Sequence, residues 1–347
     1  MRNKSTSLMA YTIAHFCVDL ACAFLLFRFF RAGFYVQSPL VFLMYSVIAF
    51  GFQAPFGALC DRFTRFPAGL LGCLLVALAF FTLPFGWFSI ILCATGNAFF
   101  HVGGGIDSLA NSDGKIVRSG IFVSTGAIGL ALGGFLGSAE SIPAYLPLVL
   151  LIVSAALIAL FSLKTIPKDV GFGTASPVFV KAVPAALLIL FVAIMIRSYG
   201  GFVMYAPWRT EYLLLPGISA CIGKAAGGFI ADRLGARTTA SLSLLLCIPF
   251  LCFGFSSPVL CSIGIALFNM NMPVTLCAVS DRIPGQYGLA FGFTTVALLL
   301  GAIPAFFYAM PWQTGIYVLP ALCAVSATMI FISISNKGGL YNERNFA

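Results

Sequence analysis

Several ionisable side chains fall in the middle of long apolar segments, where burying a charge is costly. His15 and Asp19 are four residues apart in one such segment, so a helix would carry both on the same face. At a rise of 1.5 Å per residue, Asp19 lies about 16 Å along that helix from Leu8, close to the middle of a bilayer. A carboxylate beside an imidazole at this depth is suited to taking up and releasing a proton. The alternative is a hydrogen-bonded pair that holds helices together.

Other apolar segments carry polar residues of the same kind. Asn97 and His101 are again four residues apart, and His101 belongs either to a transport pathway or to a satisfied helix contact. Arg197 and Lys224 favour an anionic or zwitterionic ligand, although Arg197 could instead extend its guanidinium to the membrane surface. The candidate substrate or proton pathway comprises His15, Asp19, Asn97, His101, Arg197, Lys224, Asn269 and Asn271.

The composition indicates that a bilayer surrounds these segments. Hydrophobic residues make up 61% of the 347 residues and charged residues only 8%, whereas a soluble domain carries about 25% charged residues. The apolar segments are about 17 to 23 residues long, the length that a helix needs to cross the hydrocarbon core. The net charge of +9 comes without a Lys/Arg-rich run, so we expect no nucleic-acid partner. The 11 cysteines form no C-x-x-C pair, and we expect no metal and no cofactor.

Prolines and glycines divide the sequence into twelve predicted transmembrane helices with short connections. The predicted ranges are 8–28, 38–60, 67–84, 87–106, 119–138, 143–163, 181–206, 212–231, 238–255, 258–280, 288–308 and 312–334. Each helix is expected to run antiparallel to the next, and an even number places both termini on one side of the membrane.

The positive charges then orient the chain. With the N-terminus inside, three cations fall outside, namely Arg28, Arg31 and Arg209. Fourteen fall inside, namely Arg2, Lys4, Arg62, Arg65, Lys115, Arg118, Lys164, Lys168, Lys181, Arg233, Arg237, Arg282, Lys337 and Arg344. By the positive-inside rule, this asymmetry predicts cytoplasmic termini and a location in the cytoplasmic membrane.

The two halves of the chain repeat each other. The segment 57–63 ends helix 2 and reads GALCDRF, and the segment 228–234 ends helix 8 and reads GFIADRL, 171 positions later. Ser112-Asp113 is echoed by Ser280-Asp281, 168 positions later. Parallel repeats of this kind are related by an axis along the membrane normal. We therefore predict a six-helix bundle over 1–165, a cytoplasmic linker over 166–180, a second six-helix bundle over 181–335 and a cytoplasmic tail over 336–347.

The repeated segment resembles the cytoplasmic-loop motif of the major facilitator superfamily, G-x-L-A-D-R-x-G-R-R. The first copy has Thr64 in place of the second glycine, and the second copy is the better match. The resemblance implies twelve helices in two six-helix bundles around a central cavity, with each carboxylate at the start of a helix of the other bundle. The residues of this predicted cytoplasmic gate are Gly57, Asp61, Arg62, Arg65, Gly228, Asp232, Arg233 and Arg237.

Helix 5 carries a glycine ladder that is similar to the antiporter motif of the same superfamily, but Gly134 stands where that motif has proline. The alternative is a face of small residues for close helix packing. The ladder consists of Gly120, Gly129, Gly133, Gly134 and Gly137. No arginine lies between Trp87 and Asp107, so the helix 4 arginine of many drug/proton antiporters is absent.

A narrower resemblance is to the fosmidomycin-resistance-like branch. The segment 14–20, AHFCVDL, looks like that branch's H-x-x-N-D stretch, and the segment 96–101, GNAFFH, looks like its F-H-P segment. Val102 replaces the proline, and Asp107 is the next acid. This resemblance implies the export of antibiotics or other small molecules coupled to protons.

We therefore expect an all-α polytopic membrane protein that acts as a secondary active transporter. Its partners would be a small-molecule substrate, a proton or another coupling ion, and lipid, and the protein would work as a monomer. Two other functions stay open: a transporter-like sensor or scaffold without flux, and a membrane-embedded enzyme. The enzyme is disfavoured because the chain has two histidines and no G-x-S-x-G or H-E-x-x-H motif.

Overall fold

The computed structural model describes residues 4–30, 38–63, 66–139, 141–163 and 184–334. Twelve long helices lie within these ranges, and no strand is assigned to any of the described residues. They are α1 Lys4–Phe29, α2 Pro39–Arg62, α3 Ala68–Phe81, α4 Trp87–Ala110, α5 Ile116–Ser138, α6 Tyr145–Phe161, α7 Ala185–Val203, α8 Leu215–Leu234, α9 Ala236–Cys252, α10 Pro258–Ser280, α11 Tyr287–Phe307 and α12 Trp312–Ser333.

The predicted fold class is confirmed, and each helix lies within a few residues of its predicted range. Eight of the twelve described helices, all except α3, α6, α8 and α9, are long and apolar enough to cross a membrane, and α3, α6 and α9 are shorter apolar helices. Their apolar composition accounts for this agreement, because a helix satisfies its own backbone hydrogen bonds inside a bilayer. The predicted linker over 166–180 and the predicted tail over 336–347 lie outside the described residues.

Three of the twelve helices are interrupted. A π-helical turn over Val47–Gly51 lies within α2. The regular α-helix of α5 is interrupted at Thr125, and that of α10 at Met270. Such interruptions let side-chain and backbone groups of neighbouring helices meet the freed backbone groups. At the interruption of α5, the hydroxyl of Thr125 donates a hydrogen bond of 2.7 Å to the carbonyl of Thr12 in α1.

The helices of each half pack mainly with one another. In the first half, α1 contacts α5 and α6, and α3 contacts α4; in the second half, α12 contacts α7 and α9, and α8 contacts α10. The halves meet where α2 packs on α11, α5 on α8 and α4 on α11. In an apolar stretch of 18 residues, 78% of the residues are buried in α1 and in α4, but only 28% in α2. The polar residues of α1 and α4 therefore lie inside the bundle.

The start of α1 and the end of α12 lie at one end of the bundle, which we call the terminal face. It is defined by Lys4, Asp61, Asp113, Asp232 and Ser333. Lys4 forms an ion pair of 2.5 Å with Asp113 on the turn between α4 and α5. The guanidinium of Arg282 donates to the carbonyl of Ser333. The start of α1 therefore lies beside the turn that precedes α5, and the end of α12 lies beside the turn that precedes α11.

Candidate functional site

A buried polar cluster is built on α1. Nε2 of His15 lies 3.3 Å from Oδ2 of Asp19, and the two side chains are 6% and 17% exposed. Their four-residue spacing within one helix accounts for this contact. On its other side, Nδ1 of His15 lies 2.6 Å from the carbonyl oxygen of Phe122 in α5.

The same cluster contains two side chains of α4. Nε2 of His101 lies 3.0 Å from Nε2 of His15 and 3.7 Å from Oδ1 of Asp19. The amide of Asn97 donates a hydrogen bond of 3.2 Å to the same Oδ1 atom. Nδ1 of His101 lies 3.0 Å from the carbonyl oxygen of Asn97. Four of the eight predicted pathway residues therefore meet at one point, where two imidazoles and an amide surround a single carboxylate.

The walls of the cluster come from α5 and from the opposite half of the protein. A Cβ atom at Gly126 would lie 2.3 Å from both Asp19 Oδ2 and His15 Nε2. The ring of Phe291 in α11 lies 6.5 Å from the ring of His101. A Cβ atom at Gly105 would meet that phenylalanine ring at 2.4 Å, so α4 and α11 approach closely beside the cluster. The cluster therefore lies where the two halves meet.

The two membrane-embedded cations lie on the second half. Lys224 of α8 is half-buried and close enough to interact electrostatically with Asp19 and His101. Arg197 of α7 is 6% exposed, and its guanidinium carbon lies 5.5 Å from the centre of the Phe268 ring. Arg197 also interacts electrostatically with Lys224. The buried guanidinium therefore lies against an aromatic ring, and the expectation that it could extend to the membrane surface does not describe this structure.

The remaining predicted pathway residues bond to their own helix. The amide of Asn269 donates to the carbonyl of Ile265 at 2.8 Å, and that of Asn271 donates to the carbonyl of Phe268 at 2.5 Å. Both bonds lie beside the interruption of α10 at Met270. Among the described residues, Oδ1 of Asn271 is buried without a hydrogen-bond partner. Both amide groups therefore donate within α10 in this conformation.

On the terminal face, a carboxylate of each half caps a helix of the other half. Oδ1 and Oδ2 of Asp61, at the end of α2, accept hydrogen bonds of 2.8 Å each from the backbone N–H groups of Gly288 and Leu289 in the first turn of α11. The N-terminus of a helix favours an anion because its first N–H groups are free and its dipole is positive there. The repeat and the family resemblance predict this contact.

The second copy of the motif forms the equivalent contact. Asp232, at the end of α8, accepts hydrogen bonds of 2.8 and 3.0 Å from the N–H groups of Ile116 and Val117 at the start of α5. Asp61 is 7% exposed, whereas Asp232 is exposed. The two caps therefore have the same hydrogen-bond geometry, but water screens the charge of Asp232 more than that of Asp61.

The basic residues of the motif are placed less uniformly. Arg62 and Arg233 are exposed, and the guanidinium carbon of Arg237 lies 3.5 Å from the centre of the Phe331 ring. Arg65 lies outside the described residues.

The motif glycines allow the halves to touch at backbone level. A Cβ atom at Gly57 would lie 2.1 Å from the carbonyl oxygen of Gly288, and one at Gly228 would lie 2.7 Å from Cα of Val117. A Cβ atom at Gly120 would lie 2.9 Å from the carbonyl oxygen of Lys224. Gly120 of the ladder therefore belongs to the interface between the halves.

The rest of the glycine ladder packs within the first half. Cβ atoms at Gly129, Gly133 and Gly137 would lie 2.3, 2.1 and 2.6 Å from carbonyl oxygens of α1, which belong to Phe16, Leu20 and Phe24 in that order. Gly134 faces the ring of Phe27 at a looser 3.1 Å. This geometry supports the alternative interpretation, a face for close packing of α5 on α1.

The structure also reveals groups that the candidate pathway did not include. Gly126 and the carbonyl of Phe122 complete the cluster, and no local sequence pattern marks either. Asp107 in α4 is 1% exposed, and its Oδ1 accepts hydrogen bonds from Ser7 at 2.7 Å and Asn111 at 3.1 Å. The four-residue spacing of Asp107 and Asn111 predicts their contact. An acidic residue in an apolar segment is the sequence feature that could have identified Asp107.

The fold and the paired helix caps define the class of protein: the chain has the fold of the major facilitator transporters. The Escherichia coli fucose:proton symporter FucP superimposes with a TM-score of 0.70 and 14% identity, over 96% of this chain and 100% of that chain. The human organic anion transporter MFSD10 gives a TM-score of 0.66 and 15% identity, over 96% of this chain and 99% of that chain. A structure of FucP in the outward conformation gives 0.65 and 14%, over 95% of this chain and 99% of that chain.

The neighbours described are transporters. At these identities, the similarity concerns the fold. Comparison with protein-family models and with curated proteins finds no match.

Proposed function

We propose that the protein is a secondary active transporter that moves a small molecule across the membrane by alternating access. The observation that carries this proposal is the buried cluster of His15, Asp19, Asn97 and His101 at the junction of the halves. A carboxylate with two imidazoles inside a membrane protein is costly to bury, and such groups typically belong to substrate or ion pathways. The major facilitator fold supports the same conclusion.

The packing of the halves supports an alternating-access cycle. On the terminal face, both caps and the contact between Gly57 and Gly288 close the interface between the halves. These contacts involve few groups and join opposite halves, so separating the halves there breaks a defined set of bonds. The terminal face is therefore closed in this conformation, and a ligand would reach the cluster from the opposite face.

The charge distribution supports an orientation. We place the terminal face in the cytoplasm and the protein in the cytoplasmic membrane, because fourteen of the cations fall on the side of the termini in the sequence-based topology. We also retain the division into bundles over 1–165 and 181–335, and a monomer as the working unit.

The electrostatics of the cluster favour a particular class of substrate. Lys224 of the second half interacts electrostatically with Asp19, and Arg197 interacts with Lys224, so an anionic or zwitterionic molecule would find charge partners beside the cluster. We propose that an ion, expected to be a proton, drives its movement through Asp19, and that the direction is efflux of a drug or metabolite. The fosmidomycin-resistance-like branch remains the narrower assignment.

The test begins with a ligand. Candidate anionic and zwitterionic compounds are screened for an increase in the melting temperature of the purified protein, because a ligand that binds the native state stabilises it. A compound that binds is then followed in reconstituted vesicles, in the presence and absence of a pH gradient. Asp19→Asn should lose gradient-driven accumulation and keep the exchange of bound substrate. Glu211→Gln, an exposed acid in the loop between α7 and α8, is the matched control and should transport like the wild type.

Two outcomes would contradict the proposal. Binding without any flux in wild-type vesicles would favour the sensor or scaffold. Gradient-driven accumulation by Asp19→Asn at the wild-type rate would remove Asp19 from coupling, and a lower melting temperature with coupling intact would assign it a structural role instead.

A further inference from the structure

We infer that His15, Asp19 and His101 form a binding site for a divalent transition-metal ion of the zinc class. The chain has two histidines, and both lie in this cluster, although they are 86 positions apart. The sequence alone did not indicate this site, because only His15 and Asp19 are close in the sequence and His101 lies 86 positions from His15. The inference uses the cluster on which the proposed transport function rests, but it can be tested without flux.

The hydrogen bonds of the two imidazoles fix which nitrogen atoms carry protons. Nδ1 of His15 faces the carbonyl oxygen of Phe122, and Nδ1 of His101 faces that of Asn97. A carbonyl oxygen only accepts, so each Nδ1 must donate and therefore carries a hydrogen. In the neutral imidazoles, both Nε2 atoms then present lone pairs.

These two lone pairs point at one small volume. The Nε2 atoms are 3.0 Å apart, and each lies within 3.7 Å of an oxygen of Asp19. Two lone pairs and a carboxylate at this separation repel one another unless a cation lies among them. The geometry therefore requires a positive centre, which is either a proton shared by the histidines or a metal ion.

The separations suit a metal ion. Tetrahedral zinc holds histidine nitrogens at about 2.0–2.1 Å, which places neighbouring ligand atoms about 3.3 Å apart. The three potential ligand atoms lie within 4.8 Å of one another, and the shortest separations are 3.0 and 3.3 Å. Two imidazoles and one carboxylate are also the ligand types that zinc and neighbouring metals accept.

The surroundings are those of a supported metal site. Metal-binding histidines typically donate their second ring N–H to a carbonyl or carboxylate, as both histidines do here. The amide of Asn97 orients the carboxylate of Asp19. The absence of a side chain at Gly126 keeps the space beside two of the ligands free, because a Cβ atom there would lie 2.3 Å from each.

Three protein ligands leave a fourth position for water or a bound molecule. Lys224 lies close enough to repel a metal ion and to attract an anion that binds it. Removing this positive charge should therefore tighten metal binding, whereas removing a ligand should weaken it. These opposite effects distinguish metal binding at this site from nonspecific binding of the metal ion elsewhere on the protein.

The experiment measures binding of Co²⁺ and Zn²⁺ to the full-length protein in detergent micelles, purified without a polyhistidine tag. The wild type should bind one Co²⁺ per chain, with the visible absorption of a tetrahedral nitrogen–oxygen site and no thiolate charge-transfer band from the cysteines. His101→Ala should weaken binding at least 100-fold. Asn97→Ala should weaken it 10- to 100-fold, the range typical of residues that orient a ligand. Lys224→Gln should strengthen it several-fold.

Controls keep the test independent of folding and of transport. Glu211→Gln should bind Co²⁺ like the wild type, and His101→Gln provides a second variant if His101→Ala fails to fold. Imidazole NMR signals of the two histidines should both shift on addition of Zn²⁺. An absence of Co²⁺ binding by folded wild type, or unchanged binding by the folded histidine variants, would overturn the metal site. Neither result would affect the transport proposal, in which the cation can be a proton.

Discussion

The cap of α11 by Asp61 gives the sharpest quantitative prediction. Both carboxylate oxygens accept a hydrogen bond of 2.8 Å from a backbone N–H group, and the side chain is 7% exposed. Asp61→Asn keeps one acceptor, removes the negative charge from the helix N-terminus and turns an N–H group towards another N–H donor. A hydrogen bond to a charged group contributes about 1.5–3 kcal/mol. Losing about 2 kcal/mol from the closed conformation alone would lower its population relative to the open one about 30-fold.

The second cap provides an internal comparison. Asp232 has similar bond lengths of 2.8 and 3.0 Å, but it is exposed. An exposed charge at a helix N-terminus contributes about 0.3–1 kcal/mol. Asp232→Asn should therefore shift the same equilibrium only about two- to fivefold. The different exposure of the two aspartates thus predicts an order of effects, which the shared Gly, Asp and Arg of the two copies do not predict.

The assay is a distance distribution between spin labels on the terminal face. Phe63→Cys and Leu234→Cys place one label on each half, since these side chains are 61% and 66% exposed. Ten of the native cysteines are buried, and Cys221, which is half-buried, is replaced by serine. Asp61→Asn should populate a longer distance. The matched control is Asp113→Asn, because that exposed acid pairs with Lys4 of its own half.

The reasoning fails if Asp61→Asn shifts the distance distribution no more than Asp113→Asn does. It also fails if Asp232→Asn has the larger effect, because burial would then not govern the strength of the cap.

Three further predictions concern glycines and topology. Gly57→Ala should open the terminal face in the same assay, because its Cβ atom would lie 2.1 Å from a backbone oxygen of α11, whereas Gly201→Ala should not, because its nearest contact is an ordinary 3.8 Å. Gly126→Ala should displace the carboxylate of Asp19, which its Cβ atom would approach to 2.3 Å; loss of gradient-driven accumulation in vesicles, with the protein still folded, checks this. A cysteine in place of Lys168 should react with an impermeant reagent from the cytoplasmic side alone, and labelling of intact cells from outside would contradict the proposed orientation.

Much of the architecture follows from the sequence. Helix number and approximate ends depend on apolar length and on the prolines and glycines between segments, and both are local properties. The paired caps were also predictable, because the repeat of 57–63 in 228–234 implies equivalent partners and the family resemblance implies that these partners lie in opposite halves. The contact of His15 with Asp19 follows from their four-residue spacing on one helix.

What the tertiary structure decides is how polar groups of different helices meet. Helix packing brings His101 to 3.0 Å from His15, and it directs the carbonyl of Phe122 to the first histidine. It also turns the amides of Asn269 and Asn271 towards carbonyl groups of their own helix. A helix satisfies its own backbone, so its sequence leaves its rotation and depth against its neighbours open. Close packing at glycines, as at Gly126, fixes those two variables and thereby creates the site.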